Sequence, residues 1–142
     1  MDFLDDDSFA SRFGDEVKTI KTLMSYGCLR SEMDCPGCWR KMKLVKKKSK
    51  MVFRCGKERC GRREVSCRFG SVFYDSKLSC KKIMRIARTW LQGETREAAK
   101  LSTKVNKESV TTWCRYFSEI VAGALKQNVG KIGGSGIIVE VD

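Results

Sequence analysis

Two cysteine pairs, Cys35-Pro-Gly-Cys38 and Cys55-Gly-Lys-Glu-Arg-Cys60, are separated by a length of chain suited to a strand, a turn and a strand. Four thiolates spaced in this way can close a tetrahedron around one zinc ion, so these residues constrain the fold more than any others. Pro36 and Gly37 suit a tight reversal that aims both sulfurs inward and lets backbone N–H groups approach them. The second pair has four residues between its cysteines where two are commoner, a loop that still closes within ligand range. Four cysteine ligands leave no open position for water, so the expected metal is structural and not catalytic. The alternative is a set of unrelated buried thiols. Cys28, Cys67, Cys80 and Cys114 have no partner at ligand spacing and read as small core residues.

Eight cysteines could also form a disulfide framework. The N-terminus argues against secretion, because Asp2, Asp5, Asp6 and Asp7 stand where a signal peptide needs positive charge and no apolar segment follows. Reduced thiols in an intracellular protein are therefore expected. No apolar run approaches the roughly 18 residues of a membrane-spanning helix, which predicts a soluble chain with no membrane partner. Histidine is absent, which excludes Cys2His2 fingers, histidine general bases and Ser-His-Asp triads.

The net charge of +12 is unevenly placed. Residues 1–34 carry four basic and eight acidic side chains, residues 35–85 seventeen and three, and residues 86–142 eight and six. The excess lies in and just after the cysteine region. A basic surface so concentrated attracts phosphate polyanions or anionic lipid, with nucleic acid the commoner partner of a soluble chain.

In chain order, residues 5–8 read as a solvated acidic start. Val17, Ile20, Leu23 and Met24 recur at helical spacing over residues 15–26, with Gly27 as the C-cap. This helix either packs on the ribbon or mediates dimerisation. Residues 42–45 and 51–54 read as two strands around the turn 46–49, and residues 64–67 as a third. Phe53, Phe69, Phe73 and Tyr74 interleave with basic residues as single-strand stacking platforms would, but in so small a ribbon most are expected to pack inside.

A helix capped by Ser79 and stopped near Gly93 follows, with Ile83, Met84, Ile86, Ala87, Trp90 and Leu91 at helical spacing. Thr95 caps a short helix over residues 96–101, residues 102–105 form a polar turn, and Asn106 caps a longer helix over residues 107–127. Val110, Trp113, Phe117, Ile120, Val121 and Leu125 are assigned to the inner face of that last helix. The pattern is that of a helix-turn-helix, with a generic helical bundle as the alternative. In the first case Lys104, Lys107, Ser109, Thr111, Thr112 and Arg115 are the candidates to meet DNA. Residues 130–136 read as a glycine-rich linker, and residues 137–142 as an apolar strand ending on Asp142.

Taken together, Cys35-Pro-Gly-Cys38, Cys55 with Cys60, Gly70-Ser71-Val72-Phe73 leading to Ser76-Lys77, the helices from Ser79 to about Gln127, and the closing Gly133-Gly134-Ser135-Gly136-Ile-Ile-Val-Glu-Val-Asp142 resemble the N-terminal half of transposases of Merlin-type DNA transposons and their bacterial insertion-sequence relatives. The resemblance covers roughly residues 28–142. It implies that the terminal strand opens an RNase H-like catalytic domain and that Asp142 is the first of its acidic metal ligands. Two divalent ions, Mg2+ in a complete domain, would then activate the attacking oxygen and stabilise the leaving one. One carboxylate cannot do this, so the chain is expected to be catalytically incomplete by itself.

The expected fold is small α+β: an acidic N-terminal segment and helix (residues 1–30), a three-stranded antiparallel zinc ribbon (31–75), a helix-turn-helix (76–128), and a linker with the first strand of a truncated RNase H-like domain (129–142). Cys35, Cys38, Cys55 and Cys60 would hold structural zinc, and Arg40, Lys41, Lys43, Lys46, Lys47, Lys48, Arg62 and Arg63 would supply charge to double-stranded DNA. The function implied is binding to transposon terminal inverted repeats, in the nucleus, by a monomer or a homodimer. The rival readings are a zinc-ribbon and helix-turn-helix transcription regulator, a transposase-derived host DNA-binding protein, and a ribbon whose basic face meets an acidic protein.

Overall fold

A computed structural model describes residues 5–48 and 50–128. The chain divides into two compact units, Met1–Arg88 and Thr89–Asp142. Its elements are α1 (Asp6–Phe13), α2 (Glu16–Ser25), β1 (Lys43–Lys47), β2 (Lys50–Arg54), β3 (Glu64–Ser66), α3 (Cys80–Leu91), α4 (Arg96–Thr103) and α5 (Lys107–Asn128), with one short 3-10 turn at Glu58–Cys60. The small α+β class is as the sequence predicts: the described residues form five helices and one three-stranded antiparallel sheet in the order β1-β2-β3.

Asp5, Asp6 and Asp7 are exposed, in keeping with a solvated acidic start, but Asp6 and Asp7 also open a helix not expected from the sequence. Asp5 caps α1 by accepting from the Ser8 N–H, while Asp6 and Asp7 sit in the first turn, where negative charge favours the helix dipole. Phe9 and Phe13, one turn apart, are its buried side chains, and their rings lie 5.0 Å apart between centroids. Gly14 forms the corner into α2; a Cβ there would run into the backbone carbonyl oxygen of Ala10, so the bend needs glycine. Asp15 then caps α2 through the Lys18 N–H at 2.9 Å.

α2 buries Ile20 and Leu23 as its spacing predicts, and it lies against β2. Gly27, with φ of 72°, ends it, placing the Cys28 N–H 2.8 Å from the Leu23 carbonyl. In the sheet, Lys43 pairs with Arg54, Val45 with Val52 and Lys47 with Lys50, while Val52 faces Ser66 and Arg54 faces Glu64. Cross-strand partners share a face, so these eight side chains form one side of the sheet. Leu44, Lys46, Met51, Phe53 and Val65 form the other, and Met51 and Phe53 are buried there. With Phe13, Ile20, Leu23, Leu29, Phe73, Ile83 and Ile86 they make the core of the first unit. Each full burial of a Phe or Ile side chain contributes roughly 1.5–3 kcal/mol before entropy is counted.

In the second unit, Thr95 caps α4 through the Ala98 N–H and Asn106 caps α5 through the Ser109 N–H at 2.8 Å, both as predicted. Lys104, at φ of 53°, turns the chain between the two helices, and Val105 is buried behind it. Ala99, Val110 and Trp113 are buried, and the Trp113 ring packs on Phe117 and Tyr116, each 5.7 Å away. The inner-face assignment fails beyond Phe117: Ile120, Val121 and Leu125 are all exposed, because α5 runs on past the end of the shorter α4. The linker at 130–136, the strand at 137–142 and Asp142 lie outside the described residues. Among the described residues no helix is long and apolar enough to cross a membrane.

Candidate metal centre

β1 and β2 are joined by a two-residue loop, and the chain leaves each distal end of this hairpin as a cysteine turn. Cys55 directly follows β2, with its N–H on the Arg63 carbonyl at 2.9 Å, and Cys60 closes the 3-10 turn. In the first turn the Cys38 and Trp39 N–H groups both donate to the Cys35 carbonyl, at 3.2 and 2.7 Å, and the Gly37 N–H points at the Cys35 sulfur at 3.4 Å. The sheet thus carries Cys55 into place beside a reversal that needs only five residues to present two sulfurs.

The four Sγ atoms of Cys35, Cys38, Cys55 and Cys60 lie within 4.8 Å of one another, and those of Cys38 and Cys55 are 3.7 Å apart. Sulfurs about 2.3 Å from a central ion at tetrahedral angles are about 3.8 Å apart, so the cluster fits such an ion after a small contraction. Cys35 and Cys55 are buried, and Cys38 and Cys60 are partly exposed. The Gly37 N–H holds the Cys35 thiol down at about 7, while hydrogen bonding with Cys38, and then burial, pushes Cys60 up to about 12. Four thiols this close share their acidity unequally: the first thiolate forms readily, and each later one meets negative charge already present. A dication removes that conflict, and the four cysteines can therefore bind a metal ion such as zinc.

The remaining cysteines divide. Cys67, Cys80 and Cys114 are buried, and burial raises all three thiols, Cys80 to about 12, so they are neutral packing groups as predicted. Cys28 is exposed, which corrects its assignment to the core; it follows the turn at Gly27, outside the helical face that packs. The aromatic residues also divide. Phe53 and Phe73 are buried, whereas Phe69 and Tyr74 are exposed and stack edge to face at 5.3 Å, contrary to the expectation that most would pack inside.

Several basic candidates have acidic partners. Lys41 pairs with Glu32, Lys47 with Glu64 at 2.7 Å, Arg62 with Glu58 at 3.6 Å, Lys107 with Glu97 at 2.5 Å and Arg115 with Glu119 at 3.6 Å. Among the described residues Arg40, Lys43, Lys46, Lys48, Arg63 and Lys104 have no such partner. Lys43 and Lys47 share the solvent side of the sheet, while Lys46 is on the opposite side and Lys48 in the hairpin loop. Two cations on that solvent side, Lys50 and Arg54, were missed; they lie across from Lys47 and Lys43, so carrying the strand alternation over the turn would have found them. In α5, Ser109 and Thr111 are half-buried, while Thr112 and Arg115 are exposed. Thr112 spends its hydroxyl proton on the Glu108 carbonyl at 2.9 Å.

Trp39 was also passed over. It follows Cys38 directly, has φ of 58° and is 82% exposed.

Comparison with known proteins finds no family model, no curated protein and no solved structure that matches this chain.

Proposed function

We propose that this protein is a DNA-binding module in which zinc, held by Cys35, Cys38, Cys55 and Cys60, stiffens a ribbon that sets a basic sheet against duplex phosphates. The observation that carries the reading is the solvent side of the sheet, where Lys43, Lys47, Lys50 and Arg54 are opposed by one carboxylate, Glu64. Four sulfurs and no further donor in the cluster give the ion a structural role. What it stabilises is a small hairpin whose outer face is too charged to hold itself by packing.

The α4–α5 pair is read as a helix-turn-helix, with a tight turn at Lys104 and the capped start of α5 presenting Thr112 and Arg115 to a groove. The sheet supplies phosphate contacts and this helix supplies base contacts. The resemblance to Merlin-type transposases makes terminal inverted repeats the duplex of interest and the nucleus the compartment, with Asp142 and Mg2+ chemistry belonging only to a longer parent chain.

The test is binding of the zinc-loaded protein to random and selected duplexes at rising salt. Affinity should fall by a factor of at least ten between about 50 and 200 mM monovalent salt, as expected when several phosphate counterions are released. Affinity that does not change with salt would overturn the reading.

A further inference from the structure

The geometry points to Trp39 as a stacking platform for an unpaired nucleobase, carried on the rigid first cysteine turn. This rests on the nucleic-acid reading above and names a contact that reading does not contain. Trp39 combines two features that folding alone disfavours. Its φ of 58° places it in the left-handed region, where glycine is at ease and a side chain with a Cβ is not. The residue is 82% exposed, so little burial offsets the backbone strain. Both are held by the metal site: the Trp39 N–H donates to the Cys35 carbonyl at 2.7 Å, and the preceding residue is a sulfur donor. The ring therefore projects from a base that cannot relax without opening the cluster.

The surroundings suit a nucleotide. Arg40 is exposed and without an acidic partner, and its carbonyl accepts from the Cys35 N–H at 2.9 Å, which ties it to the same turn. Arg63 leans over the turn from the second cysteine loop, with Nη1 3.8 Å from where a Cβ on Gly37 would be. Of the two carboxylates just before the turn, Glu32 is engaged by Lys41, and Asp34 faces Lys41 across an isolated bridge. A planar indole can take a base on its face, and the arginines of the two cysteine turns, Arg40 and Arg63, can take the adjoining phosphates. A membrane-inserting surface would need further apolar side chains beside the ring, whereas the chain on either side of Trp39 reads Pro36-Gly37-Cys38 and Arg40-Lys41. A base inside an unbroken duplex has no free face, so the preferred ligand is a single strand or a duplex with an unpaired base.

The experiment uses the full zinc-loaded chain and its tryptophan fluorescence. Trp113 is buried and Trp90 half-buried against Phe117, so quenching by added ligand reports mainly on Trp39. The probes are a short thymine oligonucleotide, an unbroken duplex, the same duplex with one unpaired thymine, and phosphatidylserine vesicles. Wild type should be quenched by the oligonucleotide and by the duplex with the unpaired base. The variants lack the Trp39 reporter, so their affinities and that of wild type are compared by the anisotropy of a fluorescently labelled oligonucleotide; Trp39→Gly should lose about tenfold in affinity for both while its melting temperature rises, because strain is relieved. Trp39→Phe should keep most of the binding. Equal binding by wild type and Trp39→Gly, with duplex affinity still steeply salt-dependent, sinks the stacking role and leaves the DNA-binding reading standing. Binding of no nucleic acid by wild type overturns both, as does quenching confined to the vesicles.

Discussion

Glu16 closes the N-terminus of a helix 64 residues further along the chain than itself: its two carboxylate oxygens accept from the N–H groups of Cys80 at 2.9 Å and Lys81 at 2.8 Å. The first turn of any helix leaves such donors without intrahelical partners, and a carboxylate supplies both acceptance and favourable charge against the dipole. Ser79 adds the ordinary local cap through the Lys82 N–H. The first unit thereby ties α2 to α3 by a polar contact in addition to the core beneath it. Glu16→Ala should lower stability by about 2 kcal/mol, since two charge-assisted hydrogen bonds are lost, whereas Ser79→Ala should cost about 1 kcal/mol. Denaturant unfolding of the two variants checks the order.

Removal of the metal should unfold the ribbon before anything else. Replacing any one of Cys35, Cys38, Cys55 or Cys60 by serine should abolish stoichiometric zinc in purified protein and expose the remaining three thiols to alkylation. Cys67→Ser and Cys80→Ser should leave zinc content unchanged while lowering stability, because their thiols are buried outside the cluster. Metal analysis combined with thiol counting separates the two groups.

Acid should act on Glu64 in a defined direction. Hydrogen bonds from Lys47 and then Arg54 hold its carboxyl below the ordinary value of 4.5. The unfolded chain therefore takes up the proton first, and the stabilisation is complete above that ordinary value and disappears as pH falls through the lower folded one. Glu64→Gln should be less stable than wild type at pH 7, and the gap between them should close as pH is lowered below about 4.5. A gap that persists at the acid end would mean that Glu64 acts by packing instead.

Lys104 occupies the left-handed region at the α4–α5 turn, with φ of 53° and ψ of 41°. Lys104→Gly should raise stability by about 1 kcal/mol by removing that strain, less the entropy that glycine loses on folding. If Lys104 contacts phosphate, the same variant should bind duplex more weakly and lower the salt slope by about one. Thermal unfolding and a salt titration on one preparation separate the two effects.

The sheet charges should act together. Lys43→Gln with Lys50→Gln should reduce duplex affinity for all sequences alike and flatten the salt dependence by about two counterions. Arg115→Ala should instead weaken discrimination between duplexes, if α5 enters a groove. A selection from random duplexes compared across the three proteins reads both quantities.

How much of this could be read from the chain alone follows from which contacts are local. Cysteine spacing identified the four sulfurs, because a short loop closes on itself whatever else the chain does. The caps at Ser79, Thr95 and Asn106 were legible for the same reason, each reaching only three residues ahead. Helix α1 was not, since three consecutive aspartates describe solvent exposure equally well until Phe9 and Phe13 find a core to enter. The exposure of Ile120, Val121 and Leu125 was hidden too, because helical spacing shows which side chains share a face but not how far a neighbouring helix extends along it.

The sequence by itself thus determined the four clustered cysteines, the capped starts of α2 to α5 and the location of the positive charge, mostly properties of residues close to each other in the chain. Only the tertiary structure decided which cations share one side of the sheet, that Glu64 faces Arg54, that Glu16 caps a distant helix, and that Trp39 is held strained and bare beside the cluster. These depend on pairing register and on what packs against what, and a residue's own neighbours in the chain carry no record of either.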